Sequence, residues 1–293
     1  MPTVYLNGAY MDLSEARVPV LDRGFIFGDG VYEVVPVYSR RPFRLDEHLS
    51  RLQHSLDSIR LTNPLTVDRW REHIHALIRQ APWEDQGIYL HVTRGPAPRD
   101  HAFPAHPEPT VFMMPMALPS PGPDVLAHGV AAVTAQDNRW LRGDIKATSQ
   151  LANVLLRQLS VDAGCAETLL LRDGQLTEGS ASNIFAVIQG ELTTPPKSHL
   201  ILPGITYDVV LELATSLDTP VRIRHVSEAE LRLADELWLT SSTKEITPVT
   251  RLDGRPVGDG RPGPVFRAFH TAYQEYKRRA MRGLEGNTSE HTP

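Results

Sequence analysis

Cysteine occurs once in the 293 residues, at Cys165. No internal disulfide can form, and a single thiol fits a reducing compartment. Because Cys165 falls between a helical stretch and an apolar run, it is expected to be a buried structural thiol. Lysine is nearly as scarce: only Lys146, Lys197, Lys244 and Lys277 occur, and arginine supplies the other long cationic side chains. No apolar run approaches a membrane span, and the N-terminus lacks a signal-like apolar core. The expectation is therefore a cytoplasmic protein with no membrane partner. The formal net charge is −5, and no basic block is large enough to grip nucleic acid. The densest cationic run, Lys277-Arg278-Arg279 with Arg282, reads as the solvated face of a C-terminal helix.

The apolar fraction is ordinary for a globular chain of this length, enough for two modest domains. The opening residues read as strands: Thr3 to Gly8, then Val31 to Tyr38 after a Gly28-Asp29-Gly30 turn. Leu45, Leu49, Leu52, Leu56 and Ile59 recur at spacings of four and three, which makes one apolar helical face. A second helix is expected over Asp68–Gln80, with strands at Gly87–Arg94 and Thr110–Met114. Pro115 to Pro123 carries four prolines and is the linker candidate. Beyond it come a strand from Gly129, a helix over Gln150–Ala163 ending at Gly164, and hairpins around Asp173-Gly174 and Gln189-Gly190. A helix from Thr206, a strand over Glu236–Thr240 and a last helix over Pro264–Arg279 complete the pattern. The predicted class is α+β, with a small N-terminal domain (1–116), a linker (117–123), a large domain (124–283) and a flexible tail (284–293).

Scarce lysine narrows the search for covalent chemistry. Lys146 closes Trp140-Leu141-Arg142-Gly143-Asp144-Ile145-Lys146 just before a helical pattern. Some thirty residues later comes Thr177-Glu178-Gly179-Ser180-Ala181-Ser182-Asn183. Pyridoxal phosphate requires a lysine that forms a Schiff base, a carboxylate at its ring nitrogen and donors for a dianionic phosphate. Taken alone, Lys146 reads as a surface lysine and Glu178 as an exposed carboxylate. Three phosphate-type features change that balance. Gly204-Ile205-Thr206 opens a helix, whose N–H groups and dipole favour an anion. Thr240-Ser241-Ser242-Thr243 is a hydroxyl-rich turn after a strand. Arg51 sits beside the apolar stripe of the first helix, where a guanidinium can turn inward as a bidentate partner.

With these pieces assembled, the chain resembles the class IV (fold type IV) pyridoxal-phosphate aminotransferases from about Asp22-Arg23-Gly24 to Thr247-Pro248-Val249. The motifs are Phe27-Gly28-Asp29-Gly30-Val31-Tyr32-Glu33, Asp144-Ile145-Lys146, Thr177 to Asn183 and Leu202-Pro203-Gly204-Ile205-Thr206. The resemblance implies a small N-terminal α/β domain and a larger domain with a mixed sheet or barrel and helices. It implies Lys146 as the Schiff-base lysine, Glu178 at the pyridine nitrogen, and Arg51, Ile205, Thr206, Ser241 and Ser242 around the phosphate. Ser182 and Asn183 would line the ring.

The loop Thr93 to Pro104, with Arg99 and His101 two apart, is similar to that of D-amino-acid (D-alanine) aminotransferases. There such a pair, with a tyrosine matching Tyr32, clamps the substrate carboxylate, and the loop serves the neighbouring subunit of a homodimer. Where Ser242 and Ala181 stand, those relatives tend to have threonine and serine. The resemblance implies a ping-pong exchange between D-amino acids and 2-oxo acids. A branched-chain L-aminotransferase, an (R)-amine transaminase, an aminodeoxychorismate lyase and a non-catalytic binding protein remain open alternatives. No ligand cluster near His101 has metal spacing.

Overall fold

The computed structural model describes residues 2–283. The tail expected to be flexible, 284–293, lies outside the described residues. Six strands make the first sheet: β1 (Thr3–Leu6), β2 (Ala9–Asp12), β3 (Gly30–Tyr38), β4 (Arg41–Pro42), β5 (Gln86–Thr93) and β6 (Thr110–Ala117), in the order β2-β1-β6-β5-β3-β4. All its pairings are antiparallel. A short helix, α1 (Arg23–Phe27), precedes β3. Helices α2 (Leu45–Ser58) and α3 (Val67–Gln80) bury their apolar stripes in the sheet's core. Leu49, Leu52 and Leu56 of α2 meet Val35, Val37, Ile88 and Leu90, with Leu45 and Ile59 at the margin, as the four-and-three spacing predicts. Each such leucine contributes roughly 1.5–3 kcal/mol on burial.

The expected linker begins too early at Pro115, which lies inside β6 opposite Ile88. Strand β1 pairs with β6 only at Phe112 and Met113, so no ladder partner on that side needs an N–H from Pro115.

The second sheet holds β7 (Val130–Gln136), β8 (Glu167–Arg172), β9 (Gln175–Gly179), β10 (Asn183–Ile188), β11 (Glu191–Thr194), β12 (Val221–Ile223), β13 (Glu236–Ser241), β14 (Glu245–Leu252) and β15 (Arg255–Pro256). Its order is β12-β11-β10-β13-β14-β7-β8-β9, with β15 on β14. Strands β9 and β10 lie far apart in that order, yet only residues 180–182 join them. The sheet must therefore curl towards a barrel. Helices α4 (Pro123–His128), α5 (Leu151–Asp162), α6 (Ile205–Ser216), α7 (Glu228–Arg232) and α8 (Pro264–Tyr276) surround it, and α8 runs on into a wider turn over Lys277–Met281.

Two expectations about single residues change. Lys277 is buried, with its amine 2.5 Å from Glu245 and 3.1 Å from the Ser120 hydroxyl, and Arg282 pairs with Asp85 at 2.6 Å. The cationic run is thus only partly a solvated face, because Glu245 at the start of β14 and Asp85 before β5 offer carboxylates that the sequence does not place nearby. Cys165 is half-buried rather than core, since it follows the left-handed Gly164 at the end of α5.

Candidate active site

A cavity of about 510 Å³ opens where the two sheets meet. Strand β3 lends it Tyr32, α2 lends Arg51, and the second sheet and its loops supply the rest. Each lining segment follows from a local constraint. Residues 180–182 must turn sharply to carry the chain from β9 to β10. Gly204 must lack a side chain, since a Cβ there would stand 2.1 Å from the Asn183 side-chain oxygen.

The four lysines separate by partner. Lys197 bonds to Asp208 at 2.5 Å, Lys244 to Glu167 at 2.9 Å and Lys277 to Glu245 at 2.5 Å. Lys146 alone has no carboxylate partner among the described residues. Its amine lies over the Tyr32 ring, 4.3 Å from the centroid, in the cavity wall. Backbone bonds fix this placement: Tyr32 N donates to Lys146 O at 2.9 Å, and Lys146 N donates to the Ser55 hydroxyl at 3.2 Å.

Glu178 lines the same cavity from the end of β9. It accepts from Arg139 at 2.6 Å, from the Asn183 amide at 3.2 Å and from Leu202 N at 3.1 Å. Burial pushes its carboxyl up to about 7, although Arg139 pulls the other way. A buried carboxylate so poorly solvated gains from any further cation or N–H brought against it.

At the α6 end, Gly204 is the N-cap, with no side-chain capping bond. The Thr206 hydroxyl is buried with no hydrogen-bond partner among the described residues, and it lines the cavity. Ser241, Ser242 and Thr243 add hydroxyls from the turn after β13. Arg51 is buried, but its fork faces Glu33, at 2.6 and 3.0 Å, rather than the open cavity as expected. Its remaining contact is Pro203 O at 2.9 Å. Three of the five guanidinium N–H groups are used, which leaves two for a ligand. Burial opposes ionisation of Glu33, yet Arg51 and His48 hold its carboxyl well below the usual range.

Ser182 and Asn183 line the cavity, as expected of residues beside the ring, but their side chains are already engaged, with Glu167 at 2.9 Å and with Glu178. Arg99 and His101 are exposed and do not line the cavity of their own chain; both sit against Phe27, at 5.6 and 5.2 Å from its ring.

This donor set fits pyridoxal phosphate. An unpartnered hydroxyl, an uncapped helix start, a serine turn and spare guanidinium N–H groups suit a phosphate dianion, while a free amine and a buried carboxylate stand elsewhere in the same wall.

The match to known proteins is equally specific. The family model for amino-transferase class IV covers residues 30–252. The chain belongs to the class IV aminotransferases. Members of this class use pyridoxal phosphate, and the protein is a transaminase of fold type IV. Curated relatives include the D-alanine aminotransferase of Bacillus licheniformis, 40% identical over 92% of this chain and 95% of that one. The D-alanine aminotransferase of Staphylococcus haemolyticus is 37% identical over 94% and 98%. Among solved structures, the branched-chain amino acid aminotransferase of Escherichia coli superposes with a TM-score of 0.87 at 28% identity, covering 99% of this chain and 96% of that one. The branched-chain amino acid aminotransferase of Thermoproteus uzoniensis, solved with norvaline, gives 0.85 at 28%, covering 97% and 96%. A further branched-chain enzyme, solved with pyridoxamine 5'-phosphate, gives 0.89 at 27%, covering 96% of each chain.

In this class IV site, sequence reasoning missed Arg139, Glu33, Glu167 and Lys244. A carboxylate inside an otherwise apolar strand, such as Glu33 in β3 or Glu167 in β8, is the signal that a buried cation must meet it. Nothing local marks Arg139.

Proposed function

We propose that this aminotransferase moves the amino group of a D-amino acid, such as D-alanine, to a 2-oxo acid, such as 2-oxoglutarate, in a ping-pong cycle. The observation that carries the D-side of this reading is the Arg99-Asp100-His101 loop. It supplies a guanidinium and an imidazole for one carboxylate, and the relatives at 34–40% identity are named D-alanine aminotransferases. Bound in the cavity, pyridoxal phosphate would supply an aldehyde for the amino group and a ring to take up the electron pair freed at the donor's Cα. Arg51, Ile205, Thr206, Ser241 and Ser242 would hold its phosphate, and Ser182 and Asn183 would flank the ring.

Lys146 Nζ takes the donor's α-proton as general base and returns a proton as general acid. Glu178 would pair with the cofactor's ring nitrogen and favour its protonated form, and Arg139 and Asn183 orient the Glu178 carboxylate. Tyr32, Arg99 and His101 bind the donor carboxylate on one side. Only one enantiomer then presents its α-hydrogen to Lys146.

Arg99 and His101 are away from their own chain's cavity, so they are assigned to the site of a second copy in a symmetric homodimer. Helix α5 and the loop before Lys146 support this assembly: on α5 Leu151 is 71% exposed and Leu155 61%, with Val154 and Leu159 also exposed, and on the loop Trp140 and Leu141 are exposed. The division into a small domain (1–116) and a large one (124–283) belongs to the same proposal, supported by the two separate sheets. So does a cytoplasmic setting, which the single cysteine fits.

The alternative is a branched-chain L-aminotransferase, favoured by the solved neighbours but not expected to carry the Arg99/His101 pair. Mixing Arg99→Ala protein with Lys146→Ala protein tests the shared site. Hybrid dimers should recover part of the activity that each variant lacks. Subunit exchange with no recovery would place the loop's function elsewhere.

A further inference from the structure

The motif residues Arg23 and Asp29 have no part in the chemistry above, yet they are among the best-connected side chains in the molecule. Arg23 is 3% exposed. Its Nε donates to Asp29 at 2.8 Å, Nη1 to the carbonyls of Asp100 and Ala102 at 2.5 and 3.2 Å, and Nη2 to the carbonyl of His101 at 3.3 Å. Three successive carbonyls of the exposed loop thus converge on one buried guanidinium. Arg94, 2% exposed, makes the complementary fork to Asp29 at 2.8 and 3.0 Å. It also holds the carbonyl of Ile59 at 2.7 Å and lies 3.7 Å from the centre of the Phe103 ring.

We propose that Arg23, Asp29 and Arg94 form a buried clamp that fixes the backbone of the Arg99–His101 loop, which makes Arg23 a positioning residue for the substrate carboxylate. This inference rests on the reading of that loop as the carboxylate trap. The loop has no helix or strand of its own over residues 98–109, so no regular ladder holds its backbone. Two long side chains can meet one carboxylate only if the backbone beneath them is held. A planar guanidinium can serve Asp29 and three carbonyls together, which a point-like ammonium cannot. Burying two guanidiniums on one carboxylate is a poor way to gain stability alone.

The same segment reaches the chemistry at its other end. The Thr148 hydroxyl donates to Gly28 O at 2.9 Å, and Thr148 N donates to Gly30 O at 2.9 Å. Gly28 has φ +66, and a Cβ there would meet Ser149 at 3.0 Å. Residues 22–32 therefore carry the trap loop at one end and the backbone around Lys146 at the other.

The test uses the full-length holoenzyme with Arg23→Lys, Asp29→Asn and, as reference, Arg99→Ala. The readouts are kcat and KM for D-alanine, the inhibition constant of propionate as a bare carboxylate, and the cofactor absorbance. Arg23→Lys and Asp29→Asn should raise KM and the propionate constant together by about tenfold or more, with kcat within about threefold and the absorbance retained. Unchanged KM and propionate constants, or a fall confined to kcat, would overturn the clamp. If Arg99→Ala also leaves both constants unchanged, the trap reading fails and the clamp with it. If Arg99→Ala raises them and neither clamp variant does, the clamp alone fails. Asp29→Asn keeps the side-chain shape and carries the test by itself if Arg23→Lys does not fold.

Discussion

At Glu178, burial opposes the carboxylate charge that the proposed pairing with a ring nitrogen requires. Its folded carboxyl titrates near 7, above the ordinary value of 4.5, because burial disfavours the charge. A raised carboxyl favours the neutral form, so its contribution to stability is complete below about pH 4.5 and is lost as pH rises through about 7. Glu178→Gln keeps the neutral shape. Without cofactor, its unfolding free energy relative to wild type should therefore grow between those pH values and level off above them, while α-proton removal by the loaded enzyme slows. A flat difference in chemical denaturation across that range would contradict the assignment. Thr206 offers a second single-atom test. Its hydroxyl is buried with no partner among the described residues, which is unfavourable until a ligand oxygen accepts from it. Thr206→Val should leave the cofactor-free protein as stable or slightly more so, and weaken cofactor binding by about 10- to 100-fold. Equal affinity by titration would remove Thr206 from the phosphate site. That Lys146, Glu178 and Thr206 would share one cavity was legible in the sequence because each sits in a local motif. Arg139 was not, since its role depends on a carboxylate 39 positions away.

Among elements, the long periodic ones were readable and the short ones were not. Helices α2, α3 and α5 and the hairpin at Asp173-Gly174 fall where their spacing and turn residues place them; Asp173 and Gly174 both have positive φ. Helices α1 and α7 have five residues each, too few to show a period. Strand β14 hid behind the Ser/Thr turn that precedes it. What holds the two ligand-facing turns together is likewise non-local. Glu167, at the start of β8, accepts from Ser180 and Ser182 in one turn and from Lys244 after the other, and burial notwithstanding, Lys244 leads in holding its carboxyl below the usual range. Glu167→Gln would set an amide against Lys244 and cost about 3 kcal/mol, the low end for a broken buried pair because Lys244 is partly solvated. Thermal unfolding should show that loss, and cofactor affinity should fall with it. Full affinity in a destabilised variant would mean that the turns hold their geometry without Glu167.

For the whole molecule, the fold and the class of reaction were legible in the sequence, whereas the surfaces left open in the single chain were not. The loop that carries Arg99 and His101 stands outside its own cavity, and the apolar face of α5 is uncovered in the single chain. In the proposed homodimer both surfaces would meet a second copy, and no periodicity in one chain reports them. On the proposed reading stereochoice is decided at this scale, because the side from which the carboxylate is held would determine which α-hydrogen faces Lys146. Initial rates with 2-oxoglutarate as acceptor and either D-alanine or L-leucine as donor measure that choice directly. D-alanine should be turned over faster by at least about 100-fold in kcat/KM. If L-leucine or L-valine instead outpaces D-alanine and D-glutamate, Arg99 and His101 are not a carboxylate trap and the protein is a branched-chain aminotransferase.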